Sequence, residues 1–202
     1  MTQEKTNYWL LLSVTLVACA TSPTSSDSTL VEASHLESTP KAAAADSAKE
    51  EEQPPSAPDV AIPNAKRPLD GVLTGGAPNE DNLKQAKAQG YQTIVSLLPV
   101  EESQTEAEQA TQIGIRFVSI PIGGAEDLTE ANARRLGEIL DDPTSRPLIL
   151  HCASGNRAGA LLALYAFYVQ HQSADDAIDL GVRAGLSKLR TEVEKRVRIS
   201  DR

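Results

Sequence analysis

Between residues 68 and 197, short apolar runs alternate with longer stretches whose apolar positions recur at helical spacing. Gly71 to Gly76 (GVLTGG) reads as a short strand closed by a glycine turn. Pro78-Asn79 opens a helix that runs to about Gln89, where Gly90 stops it. Gln92 to Leu98 is apolar and β-branched, the make-up of a buried strand. A helix over Glu101 to Gln112 ends at Gly114. A strand over Ile115 to Ile120 is cut by Pro121, and a helix over Thr129 to Leu140 is broken by Asp142-Pro143. Pro147 to Leu150 is a fourth strand, followed by a helix over Arg157 to His171 whose small residues suit close packing on a sheet. Ser173 and Asp176 have the spacing of a capping box for a further helix. Gly185-Leu186-Ser187 separates that helix from a last one ending near Val197. This alternation predicts an α/β fold, a mostly parallel sheet of four to five strands flanked by helices. Ligands of such sheets bind beyond the carboxyl ends of the strands.

The first 65 residues follow other patterns. Tyr8 to Val17 is an apolar run too short to span a bilayer. It follows a short polar start with Lys5 and precedes small residues, as in a secretory signal peptide. Leu16-Val17-Ala18-Cys19 resembles a bacterial lipobox, which implies cleavage before Cys19 and lipidation of its sulfur. Residues 1–18 are thus expected to be a lipoprotein signal peptide. Several acyl chains on Cys19 would anchor the protein stably to a membrane. Residues 19–65 are rich in Ser, Thr, Ala, Pro and Glu, lack aromatic residues, and read as a disordered acidic tether. A folded domain is expected over 66–202. Residues 20–65 carry a net charge of −6 and residues 66–202 only −3, so most of the acidity belongs to the tether. Without a basic face, nucleic-acid binding is not expected. Ala20, where an aspartate would retain an enteric-type lipoprotein elsewhere, points to the bacterial cell envelope, on the periplasmic face of the outer membrane. Lipidation would leave Cys152 as the mature chain's single thiol, with no internal disulfide.

The chemistry concentrates in His151-Cys152-Ala153-Ser154-Gly155-Asn156-Arg157, between the fourth strand and the helix after it. A strand that turns sharply into a helix aims backbone N–H groups and the positive end of the helix dipole into one concavity, which suits a tetrahedral anion. A cysteine at the base of that concavity is favoured as a thiolate nucleophile. Arg157 can grip two oxygens of the anion with its planar fork. Gly155 permits close approach of the backbone. Ala153, Ser154, Gly155 and Asn156 are expected to bind phosphate through their backbone N–H groups, and His151 to support the loop by hydrogen bonding.

The stretch HCASGNR, the strand before it, Gly71 to Pro78 and Asp176 to Leu186 resemble the phosphatase-like domain of beta-lactamase-hydrolase-like and related dual-specificity-phosphatase-like proteins. The similarity spans roughly residues 68–190. It implies a cysteine-phosphatase-like fold and a phosphocysteine intermediate. Three departures matter. Four residues separate Cys152 from Arg157, where protein tyrosine phosphatases have five and rhodanese-type sulfurtransferases have four. Ala158 follows the arginine, where tyrosine phosphatases have a serine or threonine that helps turn over the intermediate. The strand Ile94 to Leu98 also lacks an Asp and an Arg that relatives often carry.

The family's general acid is an aspartate on a loop upstream of the nucleophile. Asp127, 25 residues before Cys152 and after the flexible run Pro121 to Ala125, occupies that place, with Glu126 a lesser candidate. Asp127 could equally complement the N-terminus of the helix beginning near Thr129. Three readings follow. The first is an envelope-anchored cysteine phosphatase acting on a phosphorylated small molecule or protein, with Cys152, Arg157 and Asp127 catalytic and no metal or cofactor. The second is a rhodanese-like sulfurtransferase carrying a Cys152 persulfide. The third is a non-catalytic anion-binding module. The acids Glu101, Glu102, Glu106 and Glu108 read as a solvated helix face.

Overall fold

The computed structural model describes residues 59–200. The expected signal peptide, the lipidation site Cys19 and the tether up to residue 58 lie outside the described residues. Five strands form one sheet: β1 (Lys66–Leu69), β2 (Val72–Gly75), β3 (Thr93–Ser96), β4 (Arg116–Ser119) and β5 (Leu148–His151). Their order is β1-β2-β5-β3-β4. The β2–β5, β5–β3 and β3–β4 pairs are parallel, and β1 is an antiparallel edge on β2. The α/β expectation of a mostly parallel sheet flanked by helices therefore holds. Strand β1 was missed because KRPL is half polar and carries Pro68, which loses a ladder donor and is tolerated at an edge.

Among the described residues six α-helices connect and cover the strands: α1 (Glu80–Ala88), α2 (Val100–Gln112), α3 (Glu130–Leu140), α4 (Asn156–Tyr168), α5 (Ala174–Arg183) and α6 (Arg190–Ser200). Side-chain alternation along the strands assigns the two faces. Val72, Val95, Leu97, Leu148 and Leu150 pack into the larger apolar cluster with α3, α4, α5 and α6. Leu73, Ile94 and Ile149 point the other way, onto Leu83 and Ala86 of α1 and Ala110 of α2. β5 is central and wholly buried, as an apolar strand with parallel neighbours on both sides must be. Helix α4 is apolar on every side, and it is covered by the sheet, α3 and α5. Its small residues serve a contact the sequence reading did not anticipate: Gly159 lies against Gly181 of α5 and the backbone of Leu186, rather than against the sheet.

The capping expectations are met locally. Asn79 and Asn82 form a reciprocal capping box at α1, and Ser173 accepts from the Asp176 amide at α5.

Residues 59–65 depart from their assignment to the tether. Val60 and Ile62 are buried with Leu73, Tyr91 and Ile149. The Gly76 amide donates to the Pro63 carbonyl at 2.6 Å. The segment carries no strand or helix period, but its two apolar side chains are enough to dock it.

Candidate active site

The carboxyl ends of β2, β5, β3 and β4 bring four segments together: Gly75-Gly76, the loop His151–Arg157, Leu97-Leu98, and the stretch from Ile120 to Leu128. Cys152 leaves β5 with its amide donating to the Gly75 carbonyl at 3.3 Å, so the sheet fixes its backbone. Its side chain is buried, and its Sγ accepts the Gly155 N–H at 3.1 Å. That contact curls the loop over the sulfur. It requires Gly155 at φ +92°, a conformation that disfavours any side chain, and this explains the glycine three positions after the cysteine.

Gly155 is the residue before α4, and no side chain caps that helix. The first-turn amides of Asn156, Arg157 and Ala158 find no acceptor among the described residues. The loop thus presents helix N–H groups beside the thiol, the arrangement that binds tetrahedral anions. Ala153 and Ser154 are exposed at its rim. The Asn156 side chain does more than expected. Its Oδ1 accepts from Ser187 N at 2.8 Å, Ser187 Oγ at 3.2 Å and Leu189 N at 3.3 Å, tying the loop to the α5–α6 turn.

Arg157 sits in the first turn of α4. Its Nη1 donates to the Ile122 carbonyl at 2.6 Å and, more weakly, to the Leu97 carbonyl at 3.4 Å. Its Nε and Nη2 donate to no group among the described residues, so the edge suited to bidentate anion binding is unspent.

Asp127 ends a 3-10 turn over Ala125–Asp127. Its Oδ2 accepts the Gly123 N–H at 2.7 Å. Thr129, not Asp127, caps α3 through the Asn132 amide, while the Asp127 carbonyl accepts from the Asn132 side chain at 2.8 Å. The Ile122–Gly123 peptide group therefore joins two site residues: its C=O accepts from Arg157 and its N–H donates to Asp127. Glu126 is exposed, with its carboxylate folded against Gly124.

His151 does not support the loop by hydrogen bonding, contrary to expectation. It is fully buried, and neither ring nitrogen makes a hydrogen bond. Its Nε2 lies 2.8 Å from Glu106 Oε1, within ion-pair distance but without hydrogen-bond alignment. Glu106, grouped by sequence with a solvated face, is buried. Helical spacing with Ser103 and Ala110, both buried, was the signal that placed it inward.

Two further residues escaped the sequence reading. Asn64, at φ +55°, donates from Nδ2 to the Ser154 carbonyl at 3.2 Å. Arg196 of α6 donates to the carbonyls of Leu128 and Ala125, on either side of Asp127. No metal-ligating cluster occurs among the described residues.

A mostly parallel α/β sheet that delivers a cysteine loop and an arginine to a helix N-terminus suits cysteine chemistry on a bound anion. The family model described as DSP-PTPase phosphatase fused to NAD+ kinase matches residues 64–199, and the chain belongs to that family. The resemblance drawn from the loop is thereby borne out, and the chain carries a phosphatase-like hydrolase domain.

Solved structures share the fold at low identity. The core catalytic domain of the PP-IP phosphatase SIW14 from S. cerevisiae is 19% identical, with a TM-score of 0.57 over 70% of this chain and 88% of its own. Tk-PTP in its active form is 22% identical, with a TM-score of 0.53 over 67% of this chain and 96% of its own. P. aeruginosa TpbA, solved in complex with pTyr, is 19% identical, with a TM-score of 0.52 over 72% of this chain and 93% of its own. No curated protein matches the chain.

Proposed function

We propose that this protein hydrolyses phosphomonoesters through a phosphocysteine on Cys152. The Cys152 thiolate attacks phosphorus, the S–P bond forms, and the ester P–O bond breaks. Asp127 supplies a proton to the leaving oxygen. Arg157, through Nε and Nη2, and the amides of Asn156, Arg157 and Ala158 hold the phosphoryl oxygens as charge shifts among them. Water then attacks the phosphocysteine and gives its proton to the Asp127 carboxylate. The S–P bond breaks, and inorganic phosphate and the thiolate are released. Ester and water become alcohol and phosphate, and no cofactor enters the balance.

The observation that carries this reading is the single peptide group between Arg157 and Asp127. An anion-binding loop alone would serve sulfur transfer equally well. A carboxylate tied to the backbone that the anion clamp holds is what leaving-group protonation needs and sulfur transfer does not. Ala158 is buried, so no hydroxyl is available there to assist turnover, and slow hydrolysis of the intermediate is expected.

The substrate is a phosphorylated small molecule or protein, in keeping with the PP-IP phosphatase and the pTyr complex among the structures that share the fold. Cys19, in this reading, bears the lipid that holds the domain at the bacterial envelope.

The test uses the full chain with aryl phosphates. Hydrolysis that vanishes in Cys152→Ser and falls about 10²-fold or more in Asp127→Asn is expected. Thiosulfate-to-cyanide sulfur transfer in the absence of phosphatase activity would overturn the reading in favour of a Cys152 persulfide. Anion-dependent thermal stabilisation with neither activity would leave only a binding module. Metabolic labelling with palmitate, lost in Cys19→Ser, tests the anchor.

A further inference from the structure

The loop that carries Asp127 is short of contacts of its own. Ile122 and Leu128 are buried at its two ends, but Pro121, Gly123 and Glu126 are exposed, and Gly123-Gly124 gives the backbone little stiffness. Arg157 holds one side, at Ile122. The other side is held from 68 to 71 residues away in sequence. Arg196, on α6, donates from Nε to the Leu128 carbonyl at 2.8 Å and from Nη2 to the Ala125 carbonyl at 2.5 Å. These two carbonyls bracket Asp127. The third nitrogen, Nη1, donates to the Glu192 carbonyl at 2.9 Å and lies 3.3 Å from the Glu192 carboxylate, both one turn earlier in α6. Every nitrogen of this guanidinium is therefore committed, and the side chain is mostly covered, with 26% of its surface exposed. The Glu192 carboxylate is in turn held below the usual carboxylate range, chiefly by its hydrogen bond with Lys195 and then by Arg196, so it stays ionised at neutral pH.

A guanidinium bonded to two loop carbonyls and to its own helix does not merely neutralise charge. Its planar fork fixes the direction of both carbonyls at once, which a flexible ammonium cannot do. The Ala125 carbonyl belongs to the short 3-10 turn and the Leu128 carbonyl lies between that turn and α3, so neither is held by an α-helix or a strand. Without Arg196 the Leu128 carbonyl would turn to water, and the 3-10 turn that aims Asp127 would keep only bonds from its own stretch and the start of α3: Leu128 N to Ala125 O at 3.1 Å, Thr129 N to Asp127 O at 2.9 Å, Gly123 N to Asp127 Oδ2 at 2.7 Å and Asn132 Nδ2 to Asp127 O at 2.8 Å.

We infer that Arg196 is a positioning residue for the general acid: it clamps the Ala125–Leu128 turn onto α6 and thereby holds Asp127 in register with the leaving oxygen. The inference rests on the phosphatase reading above. It assigns Arg196 no contact with substrate. It predicts a specific kinetic signature, because an acid matters only when the leaving group needs a proton. A displacement of about 1 Å at a catalytic group can cost on the order of 10²-fold in rate.

The experiment compares the full chain with Arg196→Ala, Arg196→Lys, Asp127→Asn and the Arg196→Ala/Asp127→Asn double variant. Two substrates are used: phenyl phosphate, whose leaving group needs protonation, and 2,4-dinitrophenyl phosphate, whose leaving group does not. The quantity read is the ratio of kcat/KM for the two substrates. The concentration of folded enzyme cancels in this ratio, so partial misfolding of a variant does not distort it.

In Arg196→Ala the loss on phenyl phosphate is expected to exceed the loss on 2,4-dinitrophenyl phosphate by about tenfold or more. Arg196→Lys should recover part of that ratio. The double variant should show a ratio no worse than Asp127→Asn alone, since Arg196 acts through Asp127. Equal losses on both substrates in Arg196→Ala, with the wild type active and Cys152-dependent, would overturn the inference and leave the phosphatase reading standing. A wild type with no Cys152-dependent hydrolysis of either ester, or an Asp127→Asn ratio equal to that of the wild type, would remove the foundation and the inference with it.

Discussion

Substituting Gly159 by alanine separates the packing described here from ordinary helix energetics, because the two give opposite signs. In an unconstrained helix interior, Gly→Ala stabilises by about 1 kcal/mol. In this structure a Cβ at position 159 would stand 2.3 Å from Leu186 N, 2.6 Å from the Gly181 carbonyl oxygen and 2.9 Å from Leu186 Cα. All three atoms are backbone, and ordinary contact begins at 3.4 Å. The helix and the turn after α5 would have to separate by about 1 Å, opening a packed seam. Overpacking of this kind costs about 1–3 kcal/mol, and the rigidity of the neighbours puts this site at the upper end. After the propensity gain, the net loss is about 1–2 kcal/mol. For a domain of this size that is a drop in Tm of roughly 3–10 °C. Gly159 also lies only two residues after Arg157, so the same shift moves the anion clamp relative to Cys152 and should lower kcat/KM by up to about 10²-fold. Thermal unfolding followed by far-UV circular dichroism, with aryl phosphate hydrolysis on the same samples, reads both effects. A Tm that rises by a few degrees in Gly159→Ala would show that the α4–α5 contact is not as close as described, and would refute the reasoning.

Three further outcomes are expected. Asn64→Ala removes the hydrogen bond to the Ser154 carbonyl and should cost about 1 kcal/mol of stability together with a several-fold rise in KM; an unchanged KM would show that the segment before β1 does not shape the loop. Glu106→Ala removes a buried carboxylate that lies within ion-pair distance of the buried His151 ring and should destabilise by about 1–3 kcal/mol, whereas the exposed Glu108→Ala should have little effect on the urea midpoint; equal effects would mean that Glu106 is solvated after all. Burial, reinforced by Asp59 and opposed by Arg67, pushes the Tyr91 hydroxyl from 10.0 up to about 12. Its folded-state pKa is raised, so its contribution is fully present below pH 10 and is lost as pH rises towards 12. The urea midpoint should therefore fall less between pH 10 and 12 in Tyr91→Phe than in the wild type, and parallel falls would contradict the assignment.

Much of the architecture could be read from local signals. Strand and helix periods, the Asn79 and Ser173 caps and the glycine stops lie within a few residues of what they specify. The same holds for the loop chemistry, where Cys152, Gly155 and Arg157 act at short sequence range. What escaped depends on distant segments meeting. Asn64 reaches Ser154 across 90 residues, Arg196 reaches Ala125 across 71, and His151 faces Glu106 from a different element. No local pattern marks such a residue, since each looks like an ordinary surface polar group until the sheet brings its partner close. Glu106 is the instructive case. Its helical spacing with Ser103 and Ala110 was visible, but a carboxylate among other carboxylates reads as solvated unless its buried partner is known. Asp127 was placed by analogy and by its position after a strand. The peptide group that links it to Arg157 emerges only from the folded chain.

The central claim, a covalent phosphoryl intermediate on Cys152, is tested most directly by acid-quenching the full chain during turnover of an aryl phosphate and analysing its peptides by mass spectrometry. One phosphoryl group on the peptide containing Cys152, absent in Cys152→Ser and formed more slowly in Asp127→Asn, is the expected result. Turnover with no phosphoryl group on Cys152, or with the label on another residue, would contradict it.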